Sequence, residues 1–150
     1  MRYIIPFLLI FIVSCREKSQ NVPDKNPELE NLASLFFEKY RNNSPGEAVD
    51  FIFSKNQGVT KDQLLNVKDK LSSFSNLAGA YNGYELITTQ YATKSLILMS
   101  YLVKHEIQPY RIIFIFYKPK NEWKIYKFKI DDQLDAELED SGKVYFLQVR

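Results

Sequence analysis

The sequence is poor in the residues that build most catalytic centres. Its 150 residues include one cysteine, Cys15, and one histidine, His105. A zinc site of the Cys/His type therefore cannot be assembled, and no disulfide can form within the chain. The 5 glycines are isolated from one another, so the sequence contains no glycine-rich loop that would cradle a phosphate. We expect neither a cofactor nor a metal site.

An excess of charge of one sign is also absent. The formal net charge is +2, and basic residues are spread along the chain. Nucleic-acid-binding domains concentrate basic residues on one face, so we expect no nucleic-acid partner. Four carboxylates near the C-terminus lack the spacing of an EF-hand and predict a solvated acidic face: Asp135, Glu137, Glu139 and Asp140.

The longest apolar run is short. It covers residues 4–13 and follows the basic residue Arg2. A membrane-spanning helix needs about 20 apolar residues, which is roughly twice this length. A short apolar run behind a basic residue is typical of an export signal. We therefore expect residues 1–14 to be a signal peptide.

The end of this run, Ile12-Val13-Ser14-Cys15, resembles the lipobox of bacterial lipoproteins. The resemblance implies that the Cys15 thiol carries diacylglycerol, that the chain is cut before Cys15, and that the new amine is acylated, for example with palmitate. Two or three acyl chains, at about 0.8 kcal/mol per buried CH₂, anchor a protein durably. Membrane lipid is then a partner through Cys15, and the location is the bacterial cell envelope. Arg16 after the cysteine favours the outer membrane where the host has one.

The rest of the chain predicts a tether and one domain. Residues 15–25 comprise the lipidated cysteine and a polar stretch without apolar periodicity, which predicts a flexible tether with a reach of roughly 15–20 Å. Residues 26–150 predict a single α+β domain, long enough to bury a hydrophobic core.

Three helix starts precede the strands. Asn26, Ser44 and Thr60 are predicted N-caps, and the last two open capping boxes with Glu47 and Gln63. Apolar residues recur behind each cap with a period of about 3.6 residues, as one buried face of a helix requires.

From Ala80 onward the apolar period changes to two. This predicts four strands, over residues 84–91, 95–105, 110–118 and 122–130. The apolar parity changes around Ile125, which predicts a β-bulge. In the tail, Leu134 and Leu138 predict a short acidic helix, and Gly142 breaks its pattern. Residues 144–147 are then either a fifth strand or the continuation of a helix.

Helices followed by long antiparallel strands predict an α+β domain in which N-terminal helices pack on a curved sheet of four or five strands. This order resembles the cystatin-like cone fold of nuclear transport factor and its polyketide-cyclase-like relatives. The segment 116–126 resembles the late hairpin of small exported bacterial proteins of this type. The resemblance implies the fold and not the function, since cone-fold proteins include enzymes, ligand binders and adaptors.

Enzymes of this fold commonly pair an aspartate with a histidine inside the cone. That resemblance makes His105 a weak catalytic candidate, with Asp131, Asp132 or Glu106 as its carboxylate partner. His105 stands at the end of the second predicted strand, where we expect it to be solvated at the rim. Two acids between a strand and a helix more often cap the helix.

Aromatic residues are the remaining candidates for a site. The predicted strands carry more rings than a one-sided core requires. Most of these rings fit a core, and the others fit a concave pocket or a partner surface; the candidates for a ligand pocket are Tyr101, Phe114, Trp123 and Tyr126. Interleaved lysines form a positive rim that faces anionic lipid headgroups or cell-wall polymers, or that protects an edge strand from aggregation: Lys118, Lys120, Lys124, Lys127 and Lys129.

Three functions stay open at this point. The first is a non-enzymatic domain that binds an envelope protein or a small apolar ligand. The second is a small hydrolase or isomerase that uses His105 with a nearby carboxylate. The third is a structural envelope component, which predicts a filled cone without a ligand cavity.

Overall fold

The structure, a computed structural model, describes residues 25–148, without the side chains of residues 140, 141 and 144–148. The predicted signal peptide, Cys15 and most of the predicted tether lie outside the described residues. The described elements are α1 (Pro27–Asn42), α2 (Pro45–Phe53), α3 (Lys61–Ala78), β1 (Tyr81–Thr93), β2 (Leu96–His105), β3 (Tyr110–Tyr117), β4 (Lys124–Asp131) and α4 (Leu134–Gln148). Within this part of the chain, no helix is both long and apolar enough to cross a bilayer.

The three predicted helix starts are confirmed. The side-chain oxygens of Asn26, Ser44 and Thr60 accept hydrogen bonds from the backbone N–H three residues later, at 3.3, 3.1 and 3.2 Å. The capping box at Thr60 is complete in both directions. At α2 the predicted box differs, because the Glu47 carboxylate accepts a hydrogen bond from the Asn43 side chain at 2.6 Å. Each cap satisfies a backbone donor that the first turn leaves free.

The four predicted strands form an antiparallel sheet in the order β1-β2-β3-β4, which confirms the α+β prediction and is consistent with a cystatin-like cone. The predicted bulge is also confirmed. Ile115 pairs with Lys127, but Phe116 pairs with Ile125, so Tyr126 is the extra residue in β4. A bulge of this kind bends the strand and reverses the facing of the residues beyond it.

The core lies between α1–α3 and one face of the sheet. Phe36 and Phe37 of α1 pack edge to face at 5.2 Å, and their ring centroids lie 5.1 and 6.1 Å from that of Phe114 in β3. Phe37 also stacks on Tyr84 of β1 at 3.9 Å. Aromatic pairs in such arrangements contribute about 0.5–1.5 kcal/mol beyond their buried area. The aromatic residues of α1 therefore cover the side of the sheet that faces the helices.

The tail forms α4, so the alternative of a fifth strand over residues 144–147 is wrong. The first turn of α4 is acidic, which favours a helix N-terminus. The Glu137 carboxylate of this turn accepts hydrogen bonds from Ser100 Oγ at 3.3 Å and from Arg111 Nη1 at 2.6 Å. Ser100, Arg111 and Ile113 are buried although they lie on the face away from α1. The start of α4 thus packs on this outer face of the sheet, and part of that face is buried as well.

Candidate functional site

His105 is buried rather than solvated at the rim. It is 9% exposed, so the expectation of a rim histidine is wrong. Its Nδ1 lies 2.7 Å from the Gly79 carbonyl oxygen and its Nε2 lies 3.2 Å from the Tyr40 hydroxyl. A carbonyl oxygen only accepts, so Nδ1 carries the hydrogen, and in the neutral ring Nε2 accepts from Tyr40. The Tyr40 oxygen in turn lies 2.5 Å from the Tyr110 hydroxyl. We call His105, Tyr40, Tyr110 and the Gly79 carbonyl the histidine network.

Local structure explains why His105 faces inward. Alternate residues of β2 face the helices, and Tyr101, Val103 and His105 are among them. The turn between α3 and β1 then closes over the end of β2, because the backbone N–H groups of Glu106 and Ile107 donate to carbonyl oxygens of this turn at 2.9 Å each. The alternation along β2 is the sequence signal that could have located His105.

The tyrosines of the histidine network remain protonated at neutral pH. Burial raises the pKa of Tyr40 and the pKa of Tyr110 above their ordinary values. Tyr81 lies beside them, with its ring centroid 5.0 Å from Tyr40 and 5.6 Å from His105, and burial raises its pKa to about 12. These hydroxyls therefore do not supply a phenolate, and those of Tyr40 and Tyr110 are hydrogen-bonded to each other.

The three carboxylates proposed as partners of His105 lie elsewhere. Arg111 binds Asp131 in a bidentate pair, with Nε–Oδ1 at 2.8 Å and Nη2–Oδ2 at 3.1 Å. Glu106 and Asp132 are exposed. In the hydrogen bonds described for residues 25–148, the two ring nitrogens of His105 are engaged by Gly79 and Tyr40 rather than by a carboxylate.

The environment of Asp131 is dominated by Arg111. Partial burial raises the pKa of the Asp131 carboxyl, but the hydrogen bonds and positive charge of Arg111 outweigh this effect and hold that pKa below its usual range. The Asp131 Oδ1 atom also accepts from Gln133 N–H at 3.2 Å, in the turn that precedes α4. Asp131 is thus a charged link between β3, β4 and α4.

Two of the four aromatic pocket candidates meet in the core. The ring centroids of Tyr101 and Phe114 are 5.7 Å apart, and the two side chains are 4% and 0% exposed. Phe37 fills the space over them, at 5.3 Å from Tyr101 and 6.1 Å from Phe114. The position where a ligand would lie in a cone is therefore filled by α1.

The other two candidates lie apart from this pair. Trp123 is 4% exposed and lines a cleft of about 60 Å³ with Leu32 of α1 and Phe51 of α2. Tyr126 is 69% exposed, and its ring lies 6.5 Å from that of Tyr117. It is the extra residue of the bulge in β4, so the bulge does not bring it to the side of the sheet on which Trp123 is buried.

The outer face carries an apolar cleft that sequence reasoning did not assign. Its volume is about 280 Å³, and we call it the outer cleft, lined by Gln90, Tyr91, Ala92, Leu96, Leu98 and Ile115. The signal for it was the apolar character of both faces of β3. The start of α4 lies on Ser100 and Arg111 of the same outer face.

No protein-family model matches the chain, and no curated protein or solved structure matches it either. In the described part of the chain, no group of three or more His, Cys, Asp or Glu side chains is placed to hold a metal ion. Function is therefore inferred from the geometry of the domain itself, because a fold alone does not specify it.

Proposed function

We propose that the chain is a lipid-anchored protein of the bacterial cell envelope whose domain binds a protein partner through its outer face and has no enzymatic activity. The observation that carries this proposal is the filled interior. Phe36 and Phe37 of α1 pack on Tyr84, Tyr101 and Phe114, where a cone-fold ligand site would be. Pockets for small ligands usually enclose about 300–1,000 Å³. The cleft beside Trp123 is far smaller than this range. A cleft of about 330 Å³ between α3 and β4 reaches the range, but it is open and lies at the edge of the sheet rather than inside the cone.

The histidine network supports a structural role for His105. A general base must reach the proton that it removes from a substrate. Here Nε2 lies against the Tyr40 hydroxyl and Nδ1 against the Gly79 carbonyl, and the ring is 9% exposed. The network joins α1, the α3–β1 turn, β2 and β3, so its geometry suits a cross-link of the fold.

The outer cleft supports a protein partner. Leu96, Leu98 and Ile115 are half-buried on this face, and the start of α4 contacts the same face at Ser100 and Arg111. Protein interfaces commonly combine a partly apolar centre with a polar rim. Gln90, which is exposed, supplies a polar side chain to the lining of the outer cleft.

Site-specific photo-crosslinking in intact cells tests this proposal. A photoreactive side chain replaces Leu98 in the outer cleft, and a control replaces Leu77, which is 69% exposed on α3. We expect a discrete cross-linked protein from position 98 that is absent from position 77. Ile115→Glu, which places a charge in the cleft, should abolish it. Equal cross-linking at the two positions, or none at position 98, would refute a partner on the outer face.

The lipid anchor is tested separately, because Cys15 lies outside the described residues. We expect the wild-type chain to fractionate with the outer membrane in a two-membrane host, and a Cys15→Ala chain not to be processed by the lipoprotein pathway. Ser19→Ala, which changes a polar residue near the lipobox, is the control and should fractionate as the wild type does. Identical processing of all three chains would contradict lipidation.

A further inference from the structure

We propose that the domain lies with one end, which we call the basic end, against an anionic lipid surface. The basic end consists of the start of α1, the β1–β2 turn, the β3–β4 hairpin and the segment after α2. This inference rests on the proposed lipid anchor for its geometry. Beyond the anchor, the inference states which surface of the domain meets the membrane and which lipid chemistry that surface recognises.

The chain enters the domain at the basic end. Glu28 in the first turn of α1 lies 3.9 Å from Lys118 at the start of the β3–β4 hairpin. The Lys118 N–H donates to the Ser95 carbonyl at 2.9 Å, which brings the β1–β2 turn to the same place. Cys15 and Pro27 are twelve positions apart, a stretch of chain that can span at most about 40 Å. An anchored domain is therefore held within that distance of the lipid, and its tether joins it at the basic end.

Charge is distributed unevenly between the two ends. Six lysines belong to the basic end: Lys25, Lys55, Lys94, Lys118, Lys120 and Lys124. Its acidic residues are Glu28, Glu30 and Glu122, of which Glu28 and Glu122 lie 3.9 and 3.8 Å from Lys118 and Lys55. The whole chain carries only +2, and the opposite end carries both signs, with Glu106, Asp131, Asp132 and the first turn of α4 beside Lys70, Arg111 and Lys129. An anionic surface attracts the first end more strongly than the second, so it orients the domain.

Aromatic side chains accompany these lysines. Tyr117 and Tyr126 are 44% and 69% exposed, with ring centroids 6.5 Å apart. With Lys124 and Asn56 they line an open cleft of about 220 Å³. Tyrosine is enriched at the level of lipid headgroups, because its ring is apolar and its hydroxyl is polar. Exposed tyrosines beside lysines therefore fit an anionic bilayer surface better than the lysines would alone.

Fluorescence quenching tests the orientation on the full chain. The chain is purified from membranes and reconstituted into vesicles of phosphatidylcholine with or without phosphatidylglycerol, each containing a headgroup spin-labelled lipid. Asn121→Trp in the hairpin is compared with Ile107→Trp at the opposite end, both in a Trp123→Phe background. We expect stronger quenching at position 121 than at 107, only in the anionic vesicles, and a loss of this difference at high salt.

Two matched variants then test the charges. Lys94→Gln with Lys120→Gln removes two lysines of the basic end. Lys70→Gln with Lys129→Gln removes the same charge beside Asp131 at the other end, where these residues line one cleft. Each lysine near an anionic membrane contributes about 1 kcal/mol, so the first double variant should lower the ratio of domains on the membrane surface to domains away from it about 30-fold. The second double variant should leave this ratio unchanged. Native Trp123, which is also in the hairpin, provides a second measurement without any tryptophan substitution.

The results separate this inference from the proposed anchor. Equal quenching at positions 121 and 107, or quenching that ignores lipid charge, would overturn the inference. The inference would also be overturned if position 121 were shielded only in the presence of another membrane protein. The intact mass of the same sample reports on Cys15. Acylated Cys15 without orientation refutes the basic end alone, whereas a free thiol with charge-dependent quenching refutes the anchor alone.

Discussion

Replacing His105 with alanine removes the central side chain of the histidine network. The Gly79 carbonyl loses its donor, and the Tyr40 hydroxyl loses its acceptor while keeping the contact with Tyr110. A buried polar group left without a partner costs about 1–3 kcal/mol. The ring that disappears is 9% exposed and packs 5.0 Å from the Tyr110 ring, so a void adds to that cost.

We therefore expect His105→Ala to lower the free energy of unfolding by about 2–4 kcal/mol, a large part of the total for a domain of this size. Tyr110→Phe removes one hydroxyl and keeps the ring, so its cost should be smaller, about 0.5–1.5 kcal/mol. Glu106→Ala is the control, because Glu106 is exposed next to His105 and should change stability by less than about 0.5 kcal/mol.

Urea unfolding, followed by circular dichroism, measures all three variants. A shift of the midpoint with an unchanged slope identifies a change in stability rather than in compactness. If His105→Ala unfolds at the wild-type midpoint, the histidine network does not stabilise the fold and the structural assignment of His105 is refuted.

Three further predictions concern the core, the outer face and one turn. Phe37→Ala should cost about 3–5 kcal/mol and open a cavity over Tyr101, measured by urea unfolding; a cost below about 1 kcal/mol would contradict the filled interior. The pKa of Asp131 is lower in the folded state than in the unfolded state, so its contribution is present above the unfolded value of about 3.9 and is lost as pH falls through the folded value. Asp131→Asn should thus flatten the acid side of the stability–pH profile, and an unchanged acid limb would refute the Arg111 pairing. Gly79→Ala should destabilise by at least about 1 kcal/mol, because Gly79 has φ +83 and an added Cβ would lie 3.0 Å from an Ile107 side-chain carbon; a neutral result in thermal unfolding would contradict that geometry.

Local features of the fold were predictable because their causes lie within a few residues. The caps at Asn26, Ser44 and Thr60 depend on side chains that reach the next turn of the same helix. The change of apolar period marked the start of the sheet, and the broken parity near Ile125 located the bulge. The tail was ambiguous because residues 144–147 are apolar and fit either a strand or a helix.

The site was less predictable because it depends on contacts between distant residues. Strand alternation could have placed His105 inside, but its partner Tyr40 lies 65 positions away in the chain. Tyr101 and Phe114 are correctly placed on one face, yet only the packing of Phe37 shows that their space is filled. Arg111 carries no motif, and its pairing with Asp131 follows from the register of β3 and β4.

The intact mass of the chain extracted from membranes tests the proposed anchor most directly, and with it the location of the domain. The proposal predicts a chain that begins at Cys15 and carries diacylglycerol on the thiol and a fatty acyl group on the amine. Treatment with a lipoprotein signal-peptidase inhibitor should shift the mass to a diacylglycerol-modified chain that retains residues 1–14. A membrane-extracted chain with a free Cys15 thiol would contradict the lipid anchor.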